Sequence, residues 1–449
     1  MTRTIITVFI ISFAFLPASA SAEGDYEEGD GWIFQDGTLT ITENGGLKDF
    51  SSNDQDEQTG VWKYQHSARE VDVLAIGKNV TELSIEVCGW SRFAPSNITI
   101  EPGNTCFIID NGWVVNKKTN TLFSASNLSS KESIESIENI PAYIEHIGAR
   151  AFYDYGYTRH VTIPQSVVSI GDYAFDSCKT LQSVFFPRDL QSIGTSAFYG
   201  CQSLEKIQLG PEVNDIGIYT FDWCPALSSV DIRETKIEVL RDSSIGAGDQ
   251  LKSLELPDTV KHIEARAIDI CTGLETILIH SDGIIVDNSA FRFCDNLKRI
   301  IFTAGKPSDW GRYLFEETGR SADGKGYISS SHAHGGEIIP YPTLYYTAAY
   351  ASEWAPNGET EWNGYPIQQI SQEELEALLA EARGEAAPGS VTLSPAPTQP
   401  PTPTPASTSQ PDAISADASA LDGWMLAATV AAVVAVGVIV FSLVRKKKD

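Results

Sequence analysis

A repeat solenoid is the fold class this sequence predicts: units of about 23 residues, a parallel β-sheet on the concave face and short helical turns on the convex face. Two observations predict it. The first is a run of three near-identical lines over residues 163–227, in which Ile170-Gly171, Ile193-Gly194 and Ile216-Gly217 are spaced by 23 residues. Phe175, Phe198 and Phe221 keep that step, as do Cys178, Cys201 and Cys224, and Leu181, Leu204 and Leu227. A fixed period of this size marks units that bury their apolar faces only against their neighbours. The second is the alternation that ends each unit. Around Leu204 it turns Ile207 and Leu209 inward and Lys206 and Gln208 outward, and stacked strands of this kind rise by about 4.8 Å per unit.

The two ends of the chain set the array in a wider plan. Of 449 residues, the first 22 read as a secretory signal: Arg3, an apolar run from Ile5 to Leu16, and the small residues Ala20-Ser21-Ala22. Residues 423–444 read as a transmembrane helix, because the uncharged run Trp424 to Val444 would span about 31 Å as a helix. Arg445, Lys446, Lys447 and Lys448 follow in the tail 445–449. By the positive-inside rule that tail stays cytoplasmic, which puts the N-terminus and the ectodomain outside the plasma membrane in a single-pass arrangement. The net charge is −27; setting aside Arg3 and the tail leaves 27 basic against 58 acidic residues, a net of −31. Such a surface repels phosphate backbones and argues against nucleic-acid partners.

Between these ends the segments follow in order. Residues 23–65 form an N-terminal β segment or cap, in which Trp32 to Ile41 reads as two short strands around the turn Asp36-Gly37. Residues 66–139 hold divergent first repeats with inserted strands and a loop. Ile76-Gly77 starts a line like Leu209-Gly210, and Asp110-Asn111-Gly112 is a tight-turn signal. The regular array spans residues 140–303, with a degenerate line where Gly248 stands in place of Cys. Pro164, Pro187 and Pro257 sit just past the strands, where a missing N–H does no harm. The Gly of each Ile-Gly pair is expected to permit a tight turn into A-F-x-x-C, a helical turn whose Phe fills the space between layers. Residues 304–370 read as an aromatic C-terminal cap containing Trp310, Trp354 and Trp362. Residues 371–386 read as a short helix that opens on the capping box Ser371 to Glu374 and carries the stripe Leu375, Leu378, Leu379. Residues 387–422, rich in Pro, Thr and Ser, form an extended stalk that cannot bury a core.

The pattern I-P-x-x-V-x-x-I-G-x-x-A-F-x-x-C-x-x-L, carried by residues 163–181, resembles the BspA-like leucine-rich repeat family of surface proteins. Trp32 to Ile41 resembles the N-terminal segment often found with those repeats. The stretch from Leu344 to Ile367 resembles their closing segment. The resemblance implies a leucine-rich repeat fold and a role in adhesion or interaction, with no catalytic residue to carry over.

Groups that could do chemistry are sparse. The repeat cysteines read as buried apolar filler, Cys88 and Cys106 are the pair to consider for a bridge, and seven cysteines leave at least one unpaired within a monomer. No C-x-x-C spacing occurs. His332 and His334 could reach one metal but lack a third ligand at suitable spacing, and a nucleophile elbow and a phosphate loop are both missing. No cofactor, metal or catalytic residue is predicted. Leu256 to Val260 imitates a sortase motif but is an in-frame repeat line. Asn79, Asn97 and Asn127 lie in glycosylation sequons.

The concave sheet is therefore the expected place for a partner. One outward column runs through Thr162, Phe185, Gln208, Asp231, Glu255, Leu278 and Ile301, and a second through His160, Ser183, Lys206, Ser229, Ser253, Thr276 and Arg299. Phe185, Gln208, Asp231, Glu255 and Leu278 are the candidate partner-binding residues; apolar side chains in that column point to a protein ligand, unless caps or inserted loops cover them. The expected function is non-enzymatic: a membrane-anchored surface protein binding a protein on another cell, a matrix or a host surface. The alternatives are a carbohydrate-binding module using the aromatic C-terminal segment and, on His332 and His334 alone, an envelope-anchored hydrolase.

Overall fold

A computed structural model describes residues 26–29, 32–36, 38–43, 73–83, 97–125, 135–156, 158–311, 313–315, 326–328 and 338–383. The signal segment, the stalk, the membrane run and the basic tail lie outside the described residues, as do Cys88, Asn127, His332 and His334. Among the described residues no helix is long and apolar enough to cross a membrane.

The chain winds as a parallel β-solenoid. Each regular coil contributes a strand of three or four residues to a broad sheet and a two-residue strand to a narrow one. In the broad sheet His160–Thr162, Ser183–Phe185, Lys206–Gln208 and Ser229–Asp231 stack in parallel, with His160 opposite Ser183 and Gln208 opposite Asp231. In the narrow sheet His146–Ile147, Ser169–Ile170, Ser192–Ile193 and Asp215–Ile216 do the same. Alternation works as the sequence predicts: Ile207 is 1% exposed, and Lys206 and Gln208 are exposed. The narrow strands went unpredicted because two residues are too short for alternation to register.

The third wall differs from expectation. The array contains no helix among its described residues. Instead the A-F-x-x-C stretches pair between coils: Tyr173 N–H donates to Thr195 O at 2.8 Å, Phe175 to Ala197 O at 2.7 Å and Ser177 to Tyr199 O at 2.8 Å. Tyr173 and Ser177 are left-handed, with φ of 57° and 61°, and this lets alternate amides face the next coil rather than their own. A helical turn would spend those donors inside one coil.

Glycine in the Ile-Gly pairs also has another cause than a turn. A Cβ on Gly171, Gly194 or Gly217 would lie 2.6 Å, 2.4 Å and 2.4 Å from atoms of the preceding coil, including the backbone nitrogens of Ala149 and Thr195. None of the three has positive φ. They permit close approach of backbones, not a reversal of direction.

Inside, Phe152, Phe175, Phe198 and Phe221 form a stacked column with centroid spacings of 4.6, 5.0 and 5.5 Å. Beside it the cysteines do more than fill space. Cys178 Sγ donates to Phe152 O at 3.0 Å, Cys201 to Phe175 O at 3.1 Å and Cys224 to Phe198 O at 3.3 Å, so each thiol reaches the coil before it. Burial pushes the Cys178 and Cys224 thiols far above their ordinary pKa, which keeps them protonated donors. Cys106 is a free buried thiol in the smaller N-terminal core with Leu39, Leu74 and Ile98.

Coils begin before the regular lines. Strands Trp32–Gln35 and Thr38–Ile41 pair as an antiparallel hairpin, and Thr38–Ile41 then stacks in parallel with Val73–Ile76 and Asn97–Ile100. Asn111 and Gly112, both with positive φ, turn a second hairpin between Phe107–Asp110 and Trp113–Asn116. At the other end the broad sheet continues past Arg299–Phe302 into Thr343–Thr347 and Tyr365–Ile370, both parallel. Within the regular array the broad sheet breaks between Ser229–Asp231 and Ser253–Glu255 and the narrow one between Asp215–Ile216 and Val239–Leu240, where the degenerate line is 24 residues long and Ile245 replaces the repeat Phe.

Three substitutions separate these effects. Phe198→Ala is expected to cost about 3–5 kcal/mol, read as a fall in the urea midpoint. Gly217→Ala is expected to cost about 1–3 kcal/mol through overpacking. Gly156→Ala, whose nearest neighbouring atom would be 4.0 Å away, should leave the midpoint in place. Equal effects at Gly217 and Gly156 would show that close approach is not the reason for the glycine.

Candidate binding face

The outward column predicted for the concave sheet forms in the expected register: Thr162 pairs with Phe185, Gln208 with Asp231, Glu255 with Leu278 and Leu278 with Ile301. Its two halves meet different surroundings.

In the first half the column is open. Phe185 is 61% exposed, Gln208 is exposed, and Asp231 is partly buried under Arg233, whose Nε and Nη2 reach its two carboxylate oxygens at 2.8 Å each. That pairing holds the Asp231 carboxyl below the usual carboxylate range. Around Phe185 the neighbours are polar: Ser183, Lys206, Ser229, and His160, whose Nδ1 lies 2.9 Å from Ser183 Oγ.

The second half corrects the sequence reading of Glu255 and Leu278. Leu278 and Ile301 are each 0% exposed. The helix Gln372–Arg383 lies across them, and Leu278, Ile301, Tyr345, Ile370, Leu375 and Leu378 form one apolar cluster, with Leu379 packed against it. The apolar residues facing outward from the sheet are thus the seat of the chain's own C-terminal helix. The helix begins as its capping box predicts: Glu374 N–H donates to Ser371 Oγ at 3.1 Å and Ser371 N–H to Glu374 Oε2 at 2.8 Å.

Glu255 anchors the other end of that helix. Arg383 Nε reaches Glu255 Oε2 at 3.0 Å and Arg383 Nη2 reaches Oε1 at 2.8 Å. His280 Nε2 lies 3.1 Å from Oε1, and Arg233 Nη1 lies 3.8 Å from Oε2. Burial alone would raise the Glu255 pKa, but the bonds from His280 and Arg383 outweigh it and hold the carboxyl down at about 2. A second ion pair, Arg299 Nη2 to Glu381 Oε1 at 3.4 Å, joins the helix to the neighbouring column.

The sequence contained both halves of this contact, namely the stripe Leu375, Leu378, Leu379 and the apolar Leu278 and Ile301. It carried no sign that they meet, and the pairing of Arg383 with Glu255, 128 residues apart, has no local signature.

Two of the three tryptophans of the aromatic segment are likewise interior. Trp354 is 1% exposed and stacks on Tyr346 at 5.7 Å, and Trp310 is 8% exposed. Trp362 packs edge-on to Trp354 at 5.3 Å. Trp310 and Trp354, enclosed in this way, are not free to stack on a sugar, while Trp362 keeps a partly open ring. Among the described residues, no group of three or more His, Cys, Asp or Glu could hold a metal ion.

A parallel solenoid with a 23-residue coil, an inward Phe column and thiol-to-carbonyl rungs defines a leucine-rich repeat array. Comparison with known families agrees: residues 121–246 and 246–322 match the BspA type leucine-rich repeat region, in six copies. Over residues 121–322 the chain therefore carries BspA type leucine-rich repeats. No curated protein is similar enough in sequence to count as a relative. Among solved structures, the pneumococcal vaccine antigen PcpA is similar at 17% identity and a TM-score of 0.36, over 56% of this chain and 61% of that one. The chain thus spans about three fifths of that antigen's length. A leucine-rich repeat protein from Eubacterium ventriosum is 18% identical (TM-score 0.39; 59% of this chain and 63% of that one). A leucine-rich cell surface protein from Faecalibacterium prausnitzii is 16% identical (TM-score 0.34; 78% and 96%). Likeness at this level says nothing of ligands.

The Glu255 contacts predict how the helix responds to acid. Because the docked state lowers the carboxyl's pKa from 4.5 to about 2, the contribution is full above about pH 4.5 and is lost as pH falls toward 2. Relative to the intrinsic rate at each pH, hydrogen exchange over residues 372–383 should accelerate across that window. At neutral pH, Arg383→Ala should accelerate it too, at a cost of about 2 kcal/mol. Unchanged exchange in Arg383→Ala would show that the leucines alone hold the helix.

Proposed function

We propose that the chain is a non-enzymatic, membrane-anchored surface scaffold that mediates adhesion through a protein ligand on another cell, a matrix or a host surface. The observation that carries this is Phe185, 61% exposed in the middle of a polar strip, while the other apolar residues of its column are covered by the chain itself. An isolated large aromatic on a rigid, otherwise polar sheet is the usual anchor of a protein interface. Topology supports the reading: a signal segment, a rigid array, a Pro-rich stalk and an apolar run with a basic stop raise such a face away from a membrane. The binding strip comprises Phe185, Gln208 and Asp231, flanked by Ser183, Lys206 and Ser229. Glu255 and Leu278 contribute by seating the C-terminal helix at its border.

Residues 23–387, produced as a secreted chain and screened against matrix proteins, cell surfaces and glycans, are expected to bind a protein target. Phe185→Glu should weaken that binding at least tenfold without moving the thermal midpoint. A broad screen without a protein target, or a target that binds Phe185→Glu equally well, would refute the reading.

A further inference from the structure

A second surface lies on the turn wall, away from the sheet that carries Phe185, and stands or falls independently of the reading above. There the parallel bridges Phe221 to Ile245 and Ile245 to Ile268 align one column through Asp222, Gly246, Asp269 and Arg292. At the C-terminal side the column satisfies itself. Arg292 Nε donates to Asp269 Oδ1 at 2.9 Å and its Nη2 to Oδ2, and the guanidinium sits 5.0 Å from the centroid of Phe293. Arg266 holds Asp242 with the same fork, Nε to Oδ1 at 3.1 Å and Nη2 to Oδ2.

One rung earlier the acid is present and the cation is not. The residue that stands to Asp222 as Arg292 stands to Asp269 is Gly246. A Cβ there would lie 2.2 Å from Asp222 Oδ1, so the carboxylate occupies the room of a side chain and none from that rung can cover it. Asp222 is 7% exposed, accepts a hydrogen bond from Trp223 N–H at 2.9 Å, and has no ion-paired Lys or Arg among the described residues. Desolvation, with Asp269 and Asp242 adding to it, outweighs the Trp223 N–H bond and the field of Arg292 and lifts its pKa to about 6. A buried carboxylate with one hydrogen bond and no ion-paired partner is costly to keep.

Trp223, the next residue, is 60% exposed and left-handed at φ 58°. The coil favours a left-handed residue at this step: Ser177 and Gly200 supply it with small side chains, and Ile270 and Phe293 with larger, partly buried ones. A tryptophan there carries the same backbone strain with a bulky side chain and returns nothing to the core. Among the described residues no ring or cation stacks on it. An unpaired buried acid and an open indole therefore adjoin on one coil.

We propose that Asp222 and Trp223 form a receptor for an arginine side chain of a partner protein, the incoming guanidinium standing to Asp222 as Arg292 stands to Asp269. The chain's own rungs favour arginine over lysine, because both complete pairs use the two-pronged fork and one also stacks on a ring. An indole is the best of the aromatic faces for a cation.

The test uses the full chain in detergent, immobilised, and three soluble peptides identical except for arginine, lysine or citrulline at two positions. The arginine peptide is expected to bind, the citrulline peptide to bind at least tenfold more weakly, and the lysine peptide to fall between them. Asp222→Asn and Trp223→Ala should each weaken arginine-peptide binding at least tenfold, with Phe185→Ala and Glu212→Gln without effect. Asp222→Asn removes a desolvated charge in an isosteric swap and Trp223→Ala removes an exposed ring, so neither should lower the thermal midpoint, and Asp222→Asn should raise it. Equal binding of the lysine and arginine peptides would overturn the assignment. So would arginine binding that survives both variants, which would trace to the acidic surface at large, or an arginine peptide that does not bind.

Discussion

Everything in this array depends on backbones approaching to the spacing of a β-ladder once every coil. The close contacts at Gly171, Gly194 and Gly217 show how tight that approach is, and each of those glycines lies where a Cβ would strike the coil before it. Given that spacing, the rest follows. Phe rings 4.6 to 5.5 Å apart can stack face to face, each Cys thiol can reach the carbonyl of the preceding coil, and amides on all three walls can pair between coils rather than within them. The repeat letters are the conditions for one translation, applied again and again.

Where the translation falters, the chain substitutes other interactions. The 24-residue line between Asp231 and Glu255 interrupts both sheets, and charged groups gather at the gap: Arg233 reaches Asp231 on one side and Glu255 on the other. Glu255 in turn receives Arg383 from the helix that closes the second half of the face. The interruption in the ladder thus also marks the border between the covered and the open surface. A solenoid whose coils were all alike would expose its outward columns along their whole length. Here the irregular coil and the returning helix confine the open strip to the first half.

Particular residues show how far the sequence could be read. Lys206 and Gln208 could be placed outward and Ile207 and Leu209 inward from alternation alone, because a period of two leaves no choice of face once the strand is known. The capping box at Ser371 to Glu374 was equally readable, since its bonds span three residues. The turn wall was not. A-F-x-x-C has the spacing of a helical turn, and only the neighbouring coils, by accepting the amides of Tyr173, Phe175 and Ser177, favour a wall in which alternate amides leave their own coil. Leu278 and Glu255 were misplaced for a related reason. Their outward direction was right, but what lay over them came from residues 372–383, and nothing local announces a contact at that distance in the chain.

The amino-acid sequence by itself determined the coil: its length, its inward residues, the register of its outward columns and the type of its repeats. Those properties rest on contacts between a residue and its counterpart one period away, and a period is visible in a string of letters. Tertiary structure decided which parts of the outward columns remain surface. It buried Leu278 and Ile301 under a helix, enclosed Trp354 in the core, and left Phe185 and Trp223 in the open. Burial depends on segments that meet only after the coils have stacked, and chain order does not encode that meeting.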